Sequence, residues 1–70
     1  MSETTGREWI DAFSERLGVE PPDDATVEAL LDIAGVAAHA SERTAAPIAC
    51  WLIGRAGLDI DDARRLADET

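Results

Sequence analysis

Residues 24–43 read DATVEALLDIAGVAAHASER, and this stretch decides the fold. At about 100° per residue, Val27, Leu30, Leu31, Ala34 and Ala38 share one face of a helix. Ala29, Ile33, Val36, Ala37 and Ala40 cover much of the remainder, leaving only an arc of Glu28, Asp32, Gly35, His39, Glu42 and Arg43 polar. A helix apolar over most of its circumference needs cover on more than one side. The stretch is therefore expected to be the central helix of its domain, with Leu31 in the core. Asp23 or Asp24 supplies its N-cap.

Working outward, Thr5-Gly6-Arg7-Glu8 has the spacing of a capping box. Trp9, Phe13 and Leu17 follow at every fourth position, and Gly18 sits where a left-handed C-cap ends a helix. Val19 is placed to fold back on that last turn. Glu20-Pro21-Pro22 is then a stiff extended connector, because proline disfavours helix at its own position and just before it. Downstream, Pro47 suits the first turn of a third helix, with Thr44 as the expected cap. Gly57 ends that helix. Asp59 and Asp62 open a fourth, with Leu58 and Ala63 as its hydrophobic staple and a last turn expected to fray. The expectation is a compact all-α four-helix domain spanning residues 1–70, with helices over 6–17, 24–43, 45–56 and 60–68.

The chain has 70 residues with 15 acids, six arginines and no lysine, for a net charge of −9. Residues 1–28 carry −6, residues 29–58 are neutral and residues 59–70 carry −3. No basic track is available to displace counterions from phosphate, so nucleic acid is excluded as a partner. Anionic membrane surfaces are disfavoured for the same reason. The longest uncharged run, Thr44 to Gly54, is far short of the roughly 20 residues that span a bilayer. Residues 1–5 show no secretory pattern, and the single cysteine, Cys50, allows no internal disulfide. A cytoplasmic protein is expected. Folding should remove roughly 6,600 Å² of surface from water. For so short a chain, burial and ordering entropy then nearly balance, and a partner or dimer interface becomes a plausible part of the stability.

Little catalytic chemistry is legible. His39 is the only histidine and lies at the edge of the polar arc, near Glu42 and Arg43. These three are the candidate ligand or partner contacts. The alternative to a binding role is a small ligand- or metal-binding protein or enzyme using His39 with Glu42 or Asp32. The carboxylate pairs Asp11/Glu15, Asp24/Glu28 and Glu28/Asp32 have helical spacing, but no acid stands three residues before His39 as a helical di-iron site requires. Asp59-Ile60-Asp61-Asp62 lacks the glycine and the distal glutamate of a calcium loop. Cys50 lies in the most apolar stretch, with no basic neighbour to activate it. The size and acidity resemble acyl carrier proteins. Their motif is Asp-Ser-Leu at the second helix, where this chain has Asp23-Asp24-Ala25. No catalytic residue, metal or cofactor is expected.

Trp9 with Phe13, Leu17-Gly18-Val19, the acidic proline connector, Leu30-Leu31-Asp32, Ala38-His39, Arg43 with Ala45-Ala46-Pro47, Leu52 and Gly54 together carry a resemblance. Over about Trp9 to Gly57 the chain resembles a small actinobacterial domain family of uncharacterised function. Members occur alone or appended to nucleotidyltransferase domains similar to molybdenum-cofactor guanylyltransferases. The resemblance implies an accessory role near molybdopterin guanine dinucleotide synthesis and gives no residue a catalytic role. Cys50-Trp51 departs from the smaller polar residues expected there.

The functional expectation is a non-enzymatic accessory or protein-interaction domain, whose protein partner is a nucleotidyltransferase-like enzyme or a second copy of the chain. Ala45 to Gly57 holds one charged side chain, Arg55. Ile48, Trp51, Leu52 and Ile53 are the expected interface, and a symmetric contact through this helix would make a homodimer.

Overall fold

The first helix is fixed by its ends. Glu8 N–H donates to Thr5 Oγ1 at 3.0 Å and Thr5 N–H donates to Glu8 Oε1 at 3.2 Å, closing the capping box that opens α1 (Gly6–Leu17). Gly18 closes it at φ 76°, a conformation that costs a side chain-bearing residue energy. Its N–H and that of Val19 donate to the carbonyls of Glu15 and Ser14, the paired bonds of a Schellman motif. Val19 remains exposed. The computed structural model describes residues 5–70. Residues 1–4, read above for a leader, lie outside the described residues.

After the proline connector, Thr26 N–H donates to Asp23 Oδ1 at 2.8 Å and starts α2 (Asp24–Ala40). The helix stops three residues before the expected Arg43. At Ser41 the backbone leaves the helical region, while its N–H and its hydroxyl both donate to the Ala37 carbonyl, at 3.2 and 2.8 Å. The chain then turns directly into α3 (Ala45–Ala56). Thr44 does not cap it, contrary to expectation. Thr44 has helical torsions, and the third residue of α3 is Pro47, which has no N–H to offer. Gly57 at φ 67° reverses the chain, and Asp59 caps α4 (Ile60–Glu69) through Asp61 N–H at 2.8 Å. The last turn of α4 is helical through Glu69, where the sequence suggested fraying, and Thr70 Oγ1 donates back to the Leu66 carbonyl.

These elements form a compact all-α four-helix domain with α2 at its centre. Both α3 and α4 pack on α2, and no other pair of helices meets to a comparable extent. An Arg64–Asp32 contact of 2.6 Å ties α4 to α2 at the rim. The buried set is short. Ala29 and Ile33 of α2, Ala63 of α4 and the hydrogen-bonded Ser14 of α1 are buried, and Ile33, 2% exposed, is the only large apolar side chain among them.

The sequence expected cover on more than one side of α2, and only the Ile33 side has it. Leu31 is 67% exposed. Two helical residues point about 200° apart, so turning Ile33 toward α3 and α4 turns Leu31 to the opposite side. Covering that side would require α1, and α1 is held elsewhere. Arg7 Nη2 donates to the Pro22 carbonyl at 2.6 Å, and Arg7 Nη1 lies 3.7 Å from Asp24. These contacts keep α1 at the N-terminal end of α2. The total exposed surface is 5753 Å², against roughly 4,250 Å² for a folded chain of this mass.

Two outcomes follow from this packing. Ile33→Ala should cost about 2–5 kcal/mol in urea unfolding, while Leu31→Ala should stay within about 0.5 kcal/mol; equal losses at both positions would contradict the assigned face. The second concerns acid. Hydrogen bonding from Thr26, aided by Arg7, holds the Asp23 carboxyl below its ordinary 3.8, and Thr5 does the same for Glu8 relative to 4.5. A depressed folded-state pKa means that these caps contribute in full above the ordinary values and lose that contribution as pH falls through the folded ones. Asp23→Asn keeps a capping oxygen that does not titrate. It should flatten the loss of thermal stability below about pH 4, read by circular dichroism; an unchanged acid limb would show that the cap is not coupled to folding.

Candidate functional site

Because α3 and α4 touch α2 but scarcely touch each other, the three helices leave an open groove. Its volume is about 660 Å³, within the range of clefts that take a drug-sized ligand or several side chains. Ile33 and Val36 form its floor from the second half of α2, Leu52 and Ile53 its α3 wall, and Ala63 and Leu66 its α4 wall. Asp68 is the only charged side chain lining it. A shallower depression shares Ala37, Ser41, Ala49 and Leu52 with the groove and continues it to Ile48.

The expected interface residues divide between two sides of α3. Leu52 and Ile53 open on the groove, with Ile53 half-buried and Leu52 exposed. Ile48 is exposed on the shallower depression. Trp51 lines neither. It is 62% exposed, and the Arg55 guanidinium lies 5.7 Å from its ring centroid, which fixes an aromatic and a cation side by side in solvent. No residue of α3 is fully buried, and Cys50 is partly covered.

His39, Glu42 and Arg43 do not form the constellation expected of them. The helix ends at Ala40, so Glu42 and Arg43 leave the helical face on which they were placed beside His39. All three are exposed. The Glu42 carboxylate accepts from the Thr44 hydroxyl at 3.5 Å, and Asp32, the other carboxylate considered with His39, is engaged by Arg64. Among the described residues no group of three His, Cys, Asp or Glu side chains is placed to hold a metal ion. Among them, too, no helix is long and apolar enough to cross a membrane.

Sequence reasoning missed a second apolar surface, on α1. Trp9, Phe13 and Leu17 are all exposed, and the Trp9 and Phe13 rings stand 4.9 Å apart at 34°. Their spacing identified an amphipathic helix, and an apolar stripe is ordinarily core. Nothing in the local sequence distinguishes this stripe from an ordinary buried one.

A surface without clustered chemistry but with two apolar faces is the setting for the family assignment. The family described as Domain of unknown function (DUF6457) matches residues 1–69. The chain belongs to this family. The match covers more of the chain than the resemblance over Trp9 to Gly57 and agrees with it in leaving the function open. No curated protein and no solved structure matches the chain.

Proposed function

We propose that this DUF6457 chain is a non-enzymatic protein-interaction domain that presents helical apolar faces to another protein. The observation that carries the reading is the exposure of large apolar residues on all four helices, including both tryptophans, in a chain of net charge −9. Contiguous apolar surface on a small domain marks contact sites rather than solvent-facing structure. The outer side of α3 is the best-formed of these. Trp51 and Arg55 belong to the residue types that dominate interface energetics, and their stacking orders both before a partner arrives. The charge adds long-range attraction to a partner with a basic surface.

The first partner to test is a nucleotidyltransferase similar to molybdenum-cofactor guanylyltransferases. Support for that choice comes from the sequence resemblance described above, to a family whose members occur alone or appended to such domains. Calorimetric titration of the chain into such an enzyme from the same genome should show saturable binding. Trp51→Ala should weaken it by about 2 kcal/mol, roughly thirtyfold, without changing helical content. Heat of dilution alone, with enzyme activity indifferent to the chain, would remove this partner from the reading.

A further inference from the structure

The α1 stripe and the α2–α3–α4 groove are two unpartnered apolar surfaces of one chain, and their lengths are similar. Trp9 to Leu17 spans eight residue steps, about 12 Å of helix. The α2 residues that line the groove, Ile33 to Ala40, span seven residue steps, about 10.5 Å. Both are apolar along these lengths. The exposed stripe offers anchors at successive turns, the pattern by which an amphipathic helix lies in a groove.

Within one chain the two do not meet. Arg7 bonds to the Pro22 carbonyl and lies near Asp24 at the start of α2. The groove begins at Ile33, nine residues and about 13 Å farther along that helix. α1 makes no extensive contact with α2, α3 or α4.

We infer that the occupant of the groove is α1 of a second copy, exchanged reciprocally so that each chain's Trp9, Phe13 and Leu17 lie between α2, α3 and α4 of the other. Insertion in one direction only would propagate into an open chain, whereas reciprocal insertion closes with two-fold symmetry and satisfies both surfaces. The area agrees with a second copy. Over the whole chain the exposed surface of 5753 Å² exceeds that of a typical folded chain of this mass by roughly 1,500 Å², enough to include the about 800 Å² per partner of a standard stable interface. Charge does not oppose it. The groove is lined by one acid, Asp68, and α1 carries Arg7 and Arg16 against Glu8, Asp11 and Glu15, so the contact itself is nearly neutral. Repulsion between the remaining acids is screened beyond about 8 Å in physiological salt. The Trp51–Arg55 side of α3 stays outside the exchange, so this inference goes beyond the partner reading and stands or falls separately from it.

The test uses the full chain carrying Trp51→Phe, which leaves Trp9 as the sole tryptophan. Sedimentation across a hundredfold dilution should show mass rising from 7.5 kDa toward twice that value, with Trp9 emission shifting to the blue in step. Phe13→Glu on the stripe and Leu52→Glu in the groove change residues that are exposed in the single chain. Each should raise the dimer dissociation constant at least tenfold with the far-ultraviolet spectrum unchanged. If Phe13→Glu loses helix, Leu17→Ser is read by the same standard. A single-chain mass at every concentration would overturn the exchange. So would a dimer that the stripe variants leave intact, which would place the contact on α3 alone, or a doubling of mass with Trp9 emission unmoved. Binding of the nucleotidyltransferase, or its absence, bears on none of these readouts.

Discussion

Burial of Ile33 is the interaction on which the rest of the structure depends. Among the described residues it is the one large apolar side chain almost wholly removed from solvent, and it projects from the helix on which both α3 and α4 pack. Its position fixes the rotation of α2, and that rotation decides which residues reach water. Ala29 lies one turn before it on the same face, and Val36, Ala37 and Ala40 continue that face as the floor of the groove. Leu31 is sent to the other side. Gly57 and Asp59 return the chain so that Ala63 of α4 is buried as well. A core of this size leaves most of the large apolar side chains, Trp9, Phe13, Leu31 and Trp51 among them, open to whatever else is present.

Local chemistry was the most legible part of the fold. Thr5 with Glu8, Gly18, Asp23, Gly57 and Asp59 all occupy the positions that their side chains or glycine's freedom at positive φ predicted. Each depends on residues within a few positions, and such information is fully present in a short stretch of sequence. Thr44 failed because a cap needs a donor as well as an acceptor, and Pro47 removes the donor. The early end of α2 at Ser41 has no comparable local signal, since Ser14 makes the same hydroxyl bond to the carbonyl four residues back inside α1.

Long-range choices were less legible. The sequence showed that α2 is apolar around most of its circumference, which correctly made it central, but circumference alone does not say which strip the neighbours cover. Selection of Ile33 over Leu31 depends on the directions of α3 and α4, set by the Ser41–Thr44 turn and by Gly57. The candidate site followed the same pattern. Ile48, Trp51, Leu52 and Ile53 were found by the absence of charge in their helix, whereas the division of that helix into a groove wall and an outer Trp51–Arg55 face emerges only from tertiary placement. His39, Glu42 and Arg43 looked adjacent because a helix was assumed to run through them. The α1 stripe was visible as apolar, yet its lack of a seat within the chain follows from the geometry of Arg7, Pro22 and Asp24.

Ala29 and Ile33 of α2 with Ala63 of α4 form the core, to which α1 adds no buried apolar side chain within one chain. Native-state amide hydrogen exchange, followed residue by residue in dilute and concentrated samples, tests it most directly. Protection should be greatest around Ala29–Ala37 of α2 in both samples, while α1 amides exchange freely when dilute and gain protection only on concentration. Amides of α1 as protected as those of α2 in the dilute sample would contradict it, because they would require a seat for α1 within its own chain.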